Sequence, residues 1–183
     1  MRLLLHACCA PCSVSCVESL KGEDISPSLL WYNPNVHPFT EYESRRGALV
    51  AYAQGLGLPL ILRDDYGLRA FVAALSAPYG DRCGHCYRLR MEEAAGAAAK
   101  GGFDAFSTTL LISPYQDHEM IRETAQMAAE RHGVGFLYRD FRPLFREGQG
   151  RARSMGLYMQ KYCGCIFSEE ERYRKRIDSL GER

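Results

Sequence analysis

Seven of the eight cysteines in this chain fall into three tight groups, Cys8/Cys9/Cys12, Cys83/Cys86 and Cys163/Cys165, and only Cys16 stands outside them. A thiolate is a soft, anionic donor, and short spacings let neighbouring sulfurs converge on one metal or cluster. If the three groups meet in the fold, they assemble a centre that no single segment could build. Seven thiols also exceed what one four-coordinate zinc or one iron–sulfur cluster takes. The count therefore points to two metal sites lying close together, or to one site beside a redox pair. Cys16, four residues after Cys12, reads as a buried helix residue.

Positioning these thiols falls to an alternation of short apolar runs and longer helical stretches. Strands are expected at Arg2 to His6, Leu29 to Tyr32, Leu58 to Leu62, Phe103 to Thr108 and Gly135 to Tyr138. Helices are expected at Pro11 to Leu20, Glu41 to Gly55, Leu68 to Ala77, Cys86 to Lys100 and Asp117 to His132. Such alternation predicts an α/β fold, a mostly parallel sheet flanked by helices, in one catalytic domain over 1–183. Residues 143–183 are a C-terminal elaboration, rich first in Gly and Arg and ending in a charged helix with Ser168 as its N-cap. The first cysteine group then sits in the turn after strand one, at the carboxyl edge where open α/β sheets bind ligands. The second opens a helix, whose exposed amides and dipole favour anionic ligands. In the third, Gly164 permits a tight turn that presents both sulfurs to one side.

With 46% hydrophobic residues, the chain can bury one sizeable core. A net charge of +1 carries no global nucleic-acid signal, so any basic surface must be local. The segment Met1 to Cys16 is too short in apolar run for a signal peptide or a membrane span, and no later stretch is long enough. A cytoplasmic location is the default expectation, and there clustered cysteines favour metal or redox chemistry over disulfides.

Several strings carry a family resemblance. Leu5-His6-Ala7-Cys8-Cys9-Ala10-Pro11-Cys12-Ser13, Trp31-Tyr32-Asn33-Pro34-Asn35 with Glu41-Tyr42 and Arg45-Arg46, and Arg82-Cys83-Gly84-His85-Cys86 resemble the QueH-type epoxyqueuosine reductases. So do Phe106 to Leu111, Asp140-Phe141-Arg142 and Tyr158-Met159-Gln160-Lys161-Tyr162-Cys163-Gly164-Cys165. The resemblance implies removal of the epoxide oxygen from epoxyqueuosine at the wobble position of tRNA, the last step of queuosine synthesis. It further implies a nucleotide-α-hydrolase-like (HUP/PP-loop-like) fold, a 4Fe–4S cluster and a second, adjacent metal ion, with iron expected there. The partners are then the tRNA anticodon loop and an electron donor that the sequence does not name, without a membrane.

Within that reading, all seven of Cys8, Cys9, Cys12, Cys83, Cys86, Cys163 and Cys165 are metal ligands. The cluster is expected on Cys83, Cys86, Cys9 and one of Cys163 and Cys165. Cys8, Cys12 and the remaining C-terminal cysteine would hold the second metal. Cys8, Cys12, His6 and Tyr32 are the catalytic candidates, with His85 and His118 as further proton donors. His6 alternatively only ties the strand end. Asn33 and Asn35, with Tyr32, are placed to meet an extruded base, or else only shape a Pro-containing turn. Arg45, Tyr115, Arg142, Tyr158 and Lys161 complete the substrate-binding set. They belong to a wider scatter of Arg46, Arg88, Arg90, Arg139, Arg151 and Arg153 with Tyr87 and Tyr162, suited to phosphate contact and base stacking, or to an ordinary solvated face. Arg172 to Arg176, mixed with Glu169 to Glu171, belong to a solvated face.

Two other classes fit part of the pattern. A zinc-stabilised tRNA-binding module would use the same thiols without redox chemistry. An ATP-dependent transferase of the same fold would need a Ser/Gly-rich phosphate loop where this chain has cysteines.

Overall fold

The computed structural model describes residues 1–75 and 81–181. Five strands form one fully parallel sheet: β1 (Leu3–His6), β2 (Ser28–Trp31), β3 (Leu60–Leu62), β4 (Ala105–Thr108) and β5 (Gly135–Phe136), in the order β3-β2-β1-β4-β5. Leu3, Leu4 and Leu5 of central β1 are essentially inaccessible, as expected of a parallel strand covered on both faces. The order reverses beside β1, where β2 lies on one side and β4 on the other. A crevice opens at such a switch point, beyond the carboxyl ends of the strands. Residues at the ends of β1 and β4 border that crevice, with His6 in register with Thr108.

Seven α-helices surround the sheet among the described residues: α1 (Ala10–Lys21), α2 (Phe39–Gly55), α3 (Leu68–Ala73), α4 (Arg82–Lys100), α5 (His118–His132), α6 (Phe145–Ser154) and α7 (Ile166–Gly181). Helices α4 and α5 pack on each other, while α1 packs on α2 and α6. Short 3-10 turns follow β4 (Thr109–Ile112) and precede α6 (Arg142–Leu144).

Several boundaries differ from expectation. Helix α4 begins at Arg82, four residues before Cys86, so both cysteines of the middle pair ride on it. Helix α3 ends at Ala73, whereas Ser76 and Ala77 of the expected helix lie outside the described residues. Helix α6 was hidden by its two glycines. Gly148 is needed there because a Cβ would stand 2.8 Å from Ser15 Oγ, so its absence lets α6 lie close on α1. Ser168 is not the N-cap of α7 but its third residue. It reaches back, accepting the Gly164 N–H at 3.1 Å and donating to the Cys165 carbonyl at 2.7 Å. The cap position itself is held by Cys165, whose Sγ accepts the Ser168 N–H at 3.4 Å.

Candidate metal centre

The first thiol group lies at the switch point. Cys8 follows β1 directly, Cys9 caps α1 and Cys12 sits in its first turn, bringing the three Sγ atoms within 4.8 Å of one another. Thr109, just beyond β4, fixes the turn from across the crevice. Its hydroxyl accepts the Cys8 N–H at 3.0 Å and donates to Cys8 Sγ at 3.3 Å. Hydrogen bonds from Cys12 and Cys9, then from Thr109, hold the Cys8 thiol well below its ordinary value. Hydrogen bonds with Cys8 and Cys9, then burial, push Cys12 up, and burial pushes Cys9 up. Shared hydrogen bonds thus make the three thiols titrate as one unit. A divalent cation is what would draw the remaining protons off.

The second and third groups meet beyond the start of α4. Cys83 and Cys86 are one helical turn apart on α4, so they share a face. Cys86 packs with Cys165 and Phe71 in a small apolar cluster, whereas Cys83 and Cys163 are exposed. Burial raises the Cys86 thiol to about 12, and the nearby Cys163, Cys165 and Cys83 oppose its ionisation further. Arg45 of α2 holds the Cys163–Cys165 turn from below, donating to the carbonyls of Cys163 at 2.8 Å and Tyr162 at 2.9 Å. Its Nε is paired with Glu41 at 2.7 Å, and Tyr158 also donates to Glu41. Gly164 has φ 149°, and a Cβ there would lie 3.2 Å from both Arg45 Nη1 and Val36. Only glycine fits this turn without displacement.

Hydrogen-bond donors surround the sulfurs. Gln160 Nε2 donates to Cys9 Sγ at 3.1 Å and Cys12 Sγ at 3.7 Å, Gln116 Nε2 to Cys163 Sγ at 3.1 Å, and Arg90 Nη2 to Cys86 Sγ at 2.8 Å. With Thr109 on Cys8 and the Ser168 amide on Cys165, every grouped thiol except Cys83 accepts a hydrogen bond among the described residues. Such donors orient thiolate ligands and stabilise their charge. Asn35 adds a fully buried amide with neither polar atom partnered, its Nδ2 close to the Gly164 turn. Buried orphan groups of this kind signal a partner that the protein atoms do not supply. Cys8, Cys9 and Cys12 lie close enough together to hold one metal ion, and the donors around their sulfurs suit thiolate ligands.

The model of the epoxyqueuosine reductase QueH family matches residues 3–171, which enclose all seven grouped cysteines. The chain belongs to the QueH family of epoxyqueuosine reductases. An epoxyqueuosine reductase QueH from Dehalococcoides mccartyi is 36% identical over 95% of this chain and 96% of its own. One from Thermotoga maritima is 33% identical over 96% and 94%, and one from Acinetobacter baylyi 34% identical over 100% and 87%. Among solved structures, a predicted subunit of a tRNA methyltransferase from Methanocaldococcus jannaschii superposes with a TM-score of 0.50 at 13% identity, covering 86% of this chain and 91% of that one. That likeness concerns the fold alone.

In this QueH-family chain the other sequence-selected residues divide sharply. His6 is fully buried with both nitrogens engaged: Nε2–H donates to the Tyr32 carbonyl at 3.1 Å, and Nδ1 accepts from Thr108 at 2.9 Å. Burial, followed by the Arg90 charge, lowers its pKa to about 4. Such a neutral, doubly bonded ring is a brace between strand ends rather than a proton donor. The expected catalytic Tyr32 turns elsewhere, its ring lining a depression with Arg63, Leu89 and Glu93 on the outer side of α4. Asn33 and Asn35 are wholly buried, and Asn33 Nδ2 holds the Ala7 carbonyl at 3.0 Å, so neither offers a face for base stacking. His85 lies against Phe71, and His118 Nε2 meets the Ser113 carbonyl at 3.3 Å.

Of the basic candidates, Arg45 and Arg90 are buried to 2% exposure and cannot touch phosphate. Tyr87 is buried as well and accepts no base; it donates to Gln116 Oε1 at 2.7 Å and so aims that side chain at Cys163. Tyr162 donates to the His37 carbonyl at 2.6 Å. Arg46, Arg88, Arg139, Arg142 and Arg151 are each ion-paired to a carboxylate at the surface. Exposed Lys161 and Arg153 form no ion pair among the described residues, and Tyr115 and Tyr158 are 85% and 39% exposed. Gln116, Gln160 and Thr109 had not been singled out. Gln160 and Thr109 lie inside strings that carry the resemblance, whereas an uncharged glutamine before Asp117 gives no chemical signal by itself.

Proposed function

We propose that this chain reduces epoxyqueuosine to queuosine on tRNA with a 4Fe–4S cluster on Cys83, Cys86, Cys163 and Cys165 and a second metal, iron by preference, on Cys8, Cys9 and Cys12. Family membership makes the chain an epoxyqueuosine reductase. The observation that carries the metal assignment is the meeting of Cys8, Cys9 and Cys12 within 4.8 Å, apart from the four thiols shared by the starts of α4 and α7. This division differs from the sequence expectation in two places: Cys9 passes from the cluster to the second metal, and both Cys163 and Cys165 go to the cluster. Bound there, the cluster supplies single electrons at low potential and the second metal, with an open position, polarises an oxygen. The reaction takes two electrons and two protons, breaks both epoxide C–O bonds, forms an alkene and releases water.

The chain's own side chains do the remaining work. Gln160 and Thr109 hold the first thiol set, Arg45 and Gln116 hold the Cys163–Cys165 turn, and exposed Tyr115, Tyr158 and Lys161 offer stacking and phosphate contacts beside it. Thr109, whose hydroxyl donates to Cys8 Sγ at the crevice, takes the place of His6 as the candidate proton-carrying group beside the first thiol set. The strand order 3-2-1-4-5 supports the nucleotide-α-hydrolase-like class, and the packing of α6 on α1 supports one unit with 143–183 as its elaboration. Among the described residues no helix is long and apolar enough to cross a membrane.

The test is anaerobic purification followed by measurement of iron, acid-labile sulfide and turnover of tRNA bearing epoxyqueuosine. Iron and sulfide together with reductant-dependent formation of queuosine are expected. Stoichiometric zinc in place of iron, with no turnover, would overturn the redox assignment.

A further inference from the structure

Arg90 is the unusual charge in this molecule. It lies in the middle of α4, 2% exposed, and no carboxylate of the described residues pairs with its guanidinium. Among the described residues its hydrogen bonds go to Cys86 alone, Nη2 to Sγ at 2.8 Å and Nε to the carbonyl at 3.3 Å. Against the cost of its burial, the ionisable groups whose negative forms would favour its charge are first Cys86, then Cys163 and Cys8. Cys86 and Cys163 belong to the four-thiol set and Cys8 to the three-thiol set, so the Arg90 charge acts on both while its hydrogen bonds reach only the four-thiol set.

A buried guanidinium without a counter-charge is costly, and a protonated thiol supplies none. The burial therefore makes physical sense only if the sulfurs around it carry lasting negative charge. Thiolates bound to metal do so at any pH at which the metal stays bound. From the other side, gathering anionic sulfurs close together is opposed by their mutual repulsion, and a fixed buried cation beside Cys86 relieves it.

We infer that Arg90 is the resident counter-cation of the metal centre, a positioning residue whose fixed charge offsets both thiolate sets and raises the reduction potential of the group that Cys86 binds. The inference rests on the cluster assignment above. Net charge and hydrogen bonds to sulfur are among the levers that set cluster potentials, and a cation donating to a ligand sulfur makes the uptake of an electron easier. Lysine would keep the charge but lose the fork, while glutamine would keep a donor and lose the charge.

Arg90→Gln and Arg90→Lys, prepared anaerobically beside the parent protein, separate charge from shape. Iron and sulfide per chain, the redox midpoint followed by visible absorbance, and the far-ultraviolet circular dichroism of the metal-free proteins are measured together. Arg90→Gln is expected to fold, and either to shift the midpoint downward or to fail to retain the cluster. Arg90→Lys is expected to keep the cluster with a midpoint nearer that of the parent. Full loading and an unchanged midpoint in Arg90→Gln would overturn the inference, as would equal damage in both variants, since shape and not charge would then be at work. A parent protein without iron or sulfide would instead overturn the cluster assignment itself.

Discussion

The carboxamide of Gln160 donates to Cys9 Sγ at 3.1 Å across 151 residues of sequence. It joins the start of the chain, where the first thiols leave the sheet, to the segment that delivers the last two. Because the same nitrogen also reaches Cys12 at 3.7 Å, one side chain sets the position of two sulfurs.

Gln160→Ala should therefore weaken the first metal set without touching the second. Loss of such a donor typically costs about 10- to 100-fold in metal affinity. Chelator challenge of the loaded protein should release iron faster while sulfide per chain stays constant. Parallel loss of sulfide would show that the two sets are not separable.

Ligand substitutions test the same division more directly. Cys12→Ala should lower iron and retain acid-labile sulfide, whereas Cys86→Ala should lose both. Sulfide loss in Cys12→Ala with retention in Cys86→Ala would invert the assignment.

Arg45→Met should act on folding as well as on loading. It removes one partner from a buried pair with Glu41 and frees the carbonyls of Tyr162 and Cys163. Breaking such a pair costs about 3–5 kcal/mol, because Glu41 is left buried and uncompensated. Urea denaturation of the metal-free protein reads this loss, and a change below about 1 kcal/mol would place Arg45 on an effectively solvated pair.

His6 predicts a pH dependence. Its folded pKa, about 4, lies below the ordinary 6.5, so between those values the unfolded chain binds more protons than the folded one. Stability from this group is complete above about 6.5 and is lost as pH falls toward 4, a change worth about 3 kcal/mol. Buried His37, lowered by desolvation, adds to the same slope. Denaturant midpoints of the metal-free protein should fall across this window, and less steeply in His6→Gln.

Lys161 separates the tRNA surface from the interior. Exposed and free of ion pairs among the described residues, it should contribute one phosphate contact, so Lys161→Ala should lower the salt slope of tRNA binding by about 1. Arg142→Ala, which removes a guanidinium already bound to Asp140 through two nitrogens, should change it less.

The sheet and most of its helices were legible because apolar runs and helical stretches alternate without ambiguity. The start of α4 was not, because Asp81 stands at its N-cap without a capping side-chain bond, and α6 was masked by Gly148 and Gly150, of which Gly148 meets Ser15 of α1. For the site, thiol grouping pointed to Cys8, Cys9 and Cys12, which the fold brings together, but residue type could not separate surface cations from buried ones. Arg45 and Arg46 are adjacent in sequence, yet one anchors the cysteine turn and the other meets Asp64 at the surface. Likewise, spacing cannot show that Cys9 faces Cys12 rather than Cys86. That follows from the extended backbone at Cys9, which closes the turn onto α1.

Cys86 and Cys165 are enclosed, whereas Cys83 and Cys163 meet solvent. The centre therefore has a weather side. In air, corrosion of a cluster held there would start at the Cys83–Cys163 corner while the sheltered pair still gripped its irons. Were a cluster held there, the same open corner would be where an electron donor could approach it, so the feature that admits a redox partner would also expose it to oxygen.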